Sequence, residues 1–164
     1  MSIECRLAKP EDFQAIGRML ELYQYDLSDI WDQELDSQGE FGYDTAKHQQ
    51  AQRFFAHVLL VKQHYAGFAL VAPAMVTQQE GYWMEQFFVL KKYRKAGYGL
   101  ALARHVFQCH PGGWEVGQMP GNAVARQFWR RVVAIVTQGH FVEVEVTQGW
   151  WQGTVQHFRV PTAA

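Results

Sequence analysis

Val89-Leu90-Lys91-Lys92-Tyr93-Arg94-Lys95-Ala96-Gly97-Tyr98-Gly99-Leu100-Ala101-Leu102 is the stretch on which the fold turns. An apolar, strand-like run ends at Leu90, and four of the next five residues are cationic. Gly97-Tyr98-Gly99 then opens a segment with Leu100, Ala103, Val106 and Phe107 at helical spacing. The first turn of a helix presents amide N–H groups without intrahelical acceptors, at the positive end of the dipole. Glycine lets an anion approach that backbone closely. The spacing is neither GxxxxGK[ST] nor the full dinucleotide fingerprint. Two readings remain on physics alone: a pyrophosphate seat, or a solvated basic turn that caps a helix.

Working outward, Tyr82 to Leu90 reads as a strand, apolar on both faces except at Glu85 and Gln86, which suits a sheet centre. Val58 to Val61 and Tyr65 to Ala72 form a hairpin around Gln63 and His64, stopped by Pro73. Residues 2–8 read as a first strand. Pro10, Glu11 and Asp12 start a helix carrying Phe13, Ile16, Leu20 and Tyr23. Asp44 caps a short helix running to about Ala56. The helix Gly97 to His110 is broken by Gly112 and Gly113, before a short strand, Trp114 to Gln118. Asn122 caps a helix to about Arg131. Phe141 to Val146 alternates, with Val142, Val144 and Val146 expected on a packed face. Thr154 to Val160 is the last strand. This mixed order predicts an α+β fold.

At 164 residues, one domain over 1–164 is expected, large enough to bury roughly 68–70% of its unfolded surface. Hydrophobic residues make up 48% of the chain, which excludes a disordered polypeptide. The net charge of −1 gives no global basic field, so no nucleic-acid partner is expected. Two scattered cysteines, Cys5 and Cys109, suit a reducing compartment. With no signal-peptide core and no long apolar run, the default is a cytoplasmic protein without a membrane partner.

Arg94-Lys95-Ala96-Gly97-Tyr98-Gly99 resembles the [RQ]-x-x-G-x-[GA] acyl-CoA signature of the GNAT acetyltransferase superfamily. Asn122, Ala125 and Phe128 resemble its second element, Asn-x-x-Ala-x-x-aromatic, and the element order agrees over most of the chain. The resemblance implies a central, mostly antiparallel sheet flanked by helices and splayed between the strands at 82–90 and 114–118. It further implies acetyl-CoA as co-substrate, with its pantetheine arm along the backbone of Phe88, Val89 and Leu90. The pyrophosphate would sit on the amides of Arg94, Lys95, Ala96, Gly97, Tyr98 and Gly99, with Asn122 and Phe128 completing the cofactor site.

Glu85 is the resemblance's candidate base for an amine attacking the thioester; Trp83 and Phe87 are expected to share its face. Many relatives carry a tyrosine after the aromatic of the second element, as acid for the departing thiolate, but here Phe128 is followed by Trp129. An indole N–H cannot deliver a proton, so water or another tyrosine must. The Gly-Phe pair common after that helix is replaced by Val133-Ala134.

The seven histidines show neither H-E-x-x-H nor paired spacing, so no metal is expected. Cys109 and His110 face different ways on a helix, and Trp150-Trp151 reads as a pair packed on its own hairpin. From Leu20 to Ala46 there is no Lys or Arg, but eight acids interleave with Tyr23, Tyr25, Trp31, Phe41 and Tyr43. In the family this region commonly walls the acceptor side. Tyr25, Asp26, Asp29 and Trp31 are therefore the acceptor candidates, for a small cationic amine. The expected partner is that small molecule, with the protein a monomer or homodimer. Alternatives are a protein amine as acceptor, or a non-catalytic acyl-CoA-binding module.

Overall fold

The computed structural model describes residues 2–163. Its seven strands are β1 (Ile3–Leu7), β2 (Phe55–Val61), β3 (His64–Ala72), β4 (Tyr82–Val89), β5 (Gly112–Gln118), β6 (Val142–Val146) and β7 (Gly153–Val160). The helices are α1 (Phe13–Asp26), led in by a 3-10 turn at Pro10–Asp12, then α2 (Ala46–Gln50), α3 (Tyr98–Cys109) and α4 (Ala123–Thr137). The strands lie in one sheet in the order β1-β2-β3-β4-β5-β7-β6. Every pairing is antiparallel except β4–β5. That parallel pair is joined through α3, as a crossover requires.

Each face of the sheet carries its own core. Ile16, Met19 and Leu20 of α1 pack on Val58, Leu60, Phe68, Leu70 and Phe88. On the other face, Leu102, Val106 and Phe107 of α3 and Trp129, Val132 and Val133 of α4 pack on Leu59, Val71, Met84, Trp114 and Phe158. Asp12 fastens the first strand-helix unit. Almost fully buried, its carboxylate accepts from Arg6 Nη1 at 2.6 Å, the Lys9 amide at 2.7 Å and the Tyr65 hydroxyl at 2.5 Å. These donors hold its pKa far below the ordinary carboxylate range, Arg6 foremost.

The β-hairpin turns at Lys62 and Gln63, both left-handed, as the primed turns of two-residue hairpins demand. Other local expectations are corrected. The helix begun near Asp44 stops at Gln50 instead of reaching Ala56. Phe55 and Ala56 join β2, which pairs with β1 on one side and β3 on the other. Gly112 and Gly113 do not interrupt the chain before a strand. They are its first residues, opposite Val160 and Arg159. Helix α4 continues past Arg131 to Thr137, because Val132, Val133 and Val136 prolong its apolar face. The valines of β6 are only partly packed: on this edge strand Val142 is 51% exposed, while Val144 and Val146 are half-buried. It is Glu143 that turns toward α4, pairing with Arg130 and Gln156.

His57, in the middle of β2, is fully buried. Its Nδ1 lies 3.0 Å from His105 Nε2, and its Nε2 lies 2.8 Å from His110 Nε2. Burial and then the neighbouring rings push His57 down to about 3 and His110 to about 4. Both therefore stay neutral in the native state at pH values where the unfolded chain, near 6.5, takes up protons. Stability is full above about pH 6.5 and falls as the pH drops toward 4. Over 1.5 pH units two such groups cost roughly 3–4 kcal/mol. We expect urea unfolding at pH 7, 6 and 5 in metal-free buffer to show that decline before most carboxylates titrate. A flat profile over that interval would mean that protons reach these rings without unfolding.

Candidate active site

Beyond β4 the chain makes a 3-10 turn at Lys91–Tyr93 and then the loop that starts α3. Arg94 folds back over the strand end. Its Nε donates to the carbonyl of Val89 at 2.6 Å, and its guanidinium lies 5.6 Å from the centre of the Phe88 ring. Its Nη2 pairs with Asp26 at the end of α1 at 2.5 Å, and Lys91 Nζ lies 3.6 Å from the same carboxylate. Lys95 and Gly97 are both left-handed, at φ 63° and 85°. Nothing lies within 4 Å of where a Cβ on Gly97 would stand, so the loop opens onto free space. Lys91, Lys92 and Lys95 surround it, all exposed. The residues present fit a pyrophosphate there: a helix N-terminus, an unobstructed glycine and flanking cations. Gly99 serves packing instead, since a Cβ there would stand 3.0 Å from the Phe128 ring. The Asn122 carbonyl oxygen accepts from the Ala125 amide and caps α4.

Strands β4 and β5 pair only at Tyr82–Trp114 and Trp83–Glu115, then part. On its other side β4 stays paired with β3, but Leu70 faces Gln86 while Val71 faces Met84. Glu85 is thus the extra residue of a β-bulge, a device that re-aims a side chain. The bulge also breaks the alternation that would have put Trp83 and Phe87 on one face. Trp83 meets Trp150 and Trp151, whereas Phe87 packs on Phe128 and Trp129.

The Glu85 side chain, 26% exposed, borders a cavity of about 510 Å³ that spans the parting of the strands. Tyr23, Trp31, Tyr43, Trp83, Trp129, Trp150 and Trp151 give it an aromatic lining, and Asn122 and Gln118 border it. Glu85 and Lys47 are its charged side chains among the described residues. A Cβ on Gly117 would stand 2.4 Å from Trp83 and 2.6 Å from Trp151, so glycine makes room for both indoles. Trp150 and Trp151 are therefore cavity residues as well as hairpin residues.

Beside Glu85 stand His48, which sequence reasoning missed, and Tyr43, one of the aromatics of the acidic segment. His48 of α2 is buried, with neither ring nitrogen hydrogen-bonded, and its Nε2 is 3.4 Å from Glu85 Oε2. No local signal marks it, because α2 reaches β4 only through the tertiary fold. The Tyr43 hydroxyl is pushed above its ordinary pKa by burial and then by the Glu85 charge. Burial pushes Tyr23 up to about 12. Both phenols thus keep their protons at neutral pH.

The acceptor candidates separate. Trp31 lines the cavity. Tyr25 is 69% exposed and Asp29 is exposed, neither bordering it, and Asp26 belongs to Arg94. Other acids of that segment bind backbone: Glu21 accepts from Phe41 and Gly42, and Asp36 from Gln38 and Glu40.

Similar architectures occur among solved structures. An acetyltransferase from Thermus thermophilus superposes with a TM-score of 0.68 at 15% identity, over 98% of each chain. A paiA N-acetyltransferase from Thermoplasma acidophilum, solved in complex with coenzyme A, gives 0.66 at 13% identity, over 97% of this chain and 99% of that one. The ribosomal-protein-S18-alanine N-acetyltransferase from Escherichia coli gives 0.64 at 14% identity, over 99% and 97%. No curated protein matches the sequence. These likenesses establish the fold. The model of the Acetyltransferase (GNAT) family matches residues 16–133, most of the chain, and the chain, with its splayed sheet and its glycine loop, belongs to that family of acyltransferases.

Proposed function

We propose that this acyltransferase acetylates a primary amine that enters the aromatic cavity, with Glu85 receiving the ammonium proton. The observation that carries the reading is that one cavity holds both the parting of β4 from β5 and the bulged Glu85. Acetyl-CoA, when bound, supplies the thioester that the amine attacks. The backbone of Phe88, Val89 and Leu90 holds its pantetheine arm, and the loop from Arg94 to Gly99 holds its pyrophosphate. An alkylammonium has a pKa near 10.4, so freeing its nitrogen at pH 7 costs roughly 4–5 kcal/mol. A carboxylate at the cavity wall lowers that barrier as general base, directly or through water. The buried His48 ring, 3.4 Å from the carboxylate without a hydrogen bond to it, bounds Glu85 on the α2 side. Tyr43, protonated and beside Glu85, stands in for the missing tyrosine after Phe128 as proton donor to the departing thiolate.

The acceptor in this reading is a small cationic amine with an apolar body. Rings attract a cation through their faces, and Glu85 adds the negative charge. Trp31 contributes to this wall, while Asp26 orders the cofactor loop through Arg94.

Ala96 is exposed and not left-handed, so Ala96→Glu will fold normally. It sets a carboxylate where the phosphates belong. Calorimetry should show CoA affinity falling at least about tenfold at unchanged melting temperature. Unchanged affinity would remove the loop from the cofactor site.

Glu85→Gln should lower kcat by about 10²-fold or more with CoA affinity nearly intact. The deficit should narrow at high pH, where the amine loses its proton unaided. A deficit independent of pH would make Glu85 a positioning residue.

Across an amine panel followed by free-thiol release, short alkyl or aryl monoamines should outrun amines that carry a carboxylate. Trp31→Ala should raise KM for the best of them more than it lowers kcat. A preferred anionic acceptor would overturn the acceptor class while leaving acetyl transfer intact.

A further inference from the structure

At the end of α3 farthest from the glycine loop, His105 and Cys109 stand one turn apart, at a spacing that puts both on one side of a helix. His57 of β2 faces them. His105 Nε2 lies 3.0 Å from His57 Nδ1 and 3.7 Å from Cys109 Sγ, and the three ligand atoms all fall within 4.8 Å of one another. We propose that His57, His105 and Cys109 form a binding site for a divalent d-block ion, zinc foremost, separate from the acetyl-transfer cavity.

Zinc binds imidazole nitrogen at 2.0–2.1 Å and thiolate sulfur at about 2.3 Å, so tetrahedral ligation sets N···N edges of roughly 3.3 Å and N···S edges of roughly 3.6 Å. The two His105 edges lie within a few tenths of an ångström of those values, and a rotation of the exposed Cys109 side chain by up to roughly an ångström closes the third, His57–Cys109, edge from within 4.8 Å. Two imidazoles and a thiolate select zinc-like ions over magnesium or calcium, which take oxygen ligands. Cys109 is exposed and His105 half-buried, so the ion enters from solvent and water takes the fourth position. Binding sends the Cys109 thiol proton to solvent and leaves both imidazoles neutral. His57 then carries its single N–H on Nε2, where His110 Nε2 accepts it at 2.8 Å, fixing the ring's orientation. The ion ties β2 to the end of α3, roughly 15 Å along the helix from the glycine loop.

The test uses the full chain, reduced and without an affinity tag. Titration with Co²⁺ should give, at one equivalent, the visible bands of a four-coordinate site together with a thiolate-to-metal charge-transfer band, both displaced by Zn²⁺. Cys109→Ser should remove the charge-transfer band, His105→Ala should weaken binding by at least about tenfold, and Cys5→Ser should change nothing. Zn²⁺ at a hundredfold excess over its dissociation constant should raise the melting temperature by roughly 5–10 °C, reversed by chelator. Both substituted ligands reach solvent, so these variants will fold. Absence of the bands in the wild type overturns the site. So does their persistence in Cys109→Ser and His105→Ala, or their loss in Cys5→Ser.

Discussion

The functional architecture depends on β4 and β5 pairing at only two positions and then parting. Backbone N–H and C=O groups inside a protein demand partners. Past Trp83, the edge of β4 that faces β5 has no ladder partner among the described residues, while its other edge stays paired with β3 as far as Gly67–Val89. Such an edge accepts an extended, amide-bearing ligand as readily as another strand. Aromatic rings flank the parting. Trp83 and Trp151 occupy the space at Gly117 of β5, and Phe87 packs on Phe128 and Trp129 of α4.

Much of this was legible in the sequence where the signal is local. The cationic run before Gly97-Tyr98-Gly99 reports a strand end, a left-handed turn and a helix start within a dozen residues, and the structure has all three. Glu85 was visible as an acid in an apolar strand. Its bulge was not, because a bulge is a property of the register with β3, and the alternation inferred for Trp83 and Phe87 failed on it. The two glycines before Trp114 mislead for a related reason. They look like breakers, yet β7 pairs with them residue by residue and supplies the order that glycine lacks. His48 facing Glu85, and His57 facing His105 and Cys109, join elements far apart in sequence. The i, i+4 spacing of His105 and Cys109 was present to be read, but only β2 turns a helical pair into a three-sided site.

The acidic segment shows how composition and placement differ. Eight acids without a basic residue suggest an electrostatic attractant. In the fold half of them find local work: Glu21, Asp36 and Asp44 accept from backbone amides, and Asp26 pairs with Arg94 and Lys91. Exposed carboxylates such as Asp29 act through water and are screened within about 10 Å at ordinary ionic strength. The aromatic residues of the same segment are placed differently, with Tyr23, Trp31 and Tyr43 reaching the cavity. A cationic acceptor, as proposed, would meet π faces and the Glu85 carboxylate at short range, with the Lys47 ammonium also on the wall.

Arg94 joins these parts. A single guanidinium donates to the last carbonyl of β4, stacks over Phe88 and holds Asp26 at the end of α1. Only a planar, multi-donor cation satisfies two acceptors at once with that geometry; a lysine ammonium on a flexible stem would serve one. The strand whose edge faces the gap, the loop proposed to seat the phosphates and the helix leading into the acceptor segment are thereby fixed to one another. The sequence motif records only the arginine and the glycines. What makes the arginine structural is Asp26, 68 residues earlier, and that pair ties the glycine loop to the end of α1, so the loop proposed for the cofactor and the segment proposed to lead to the acceptor share one fixed joint.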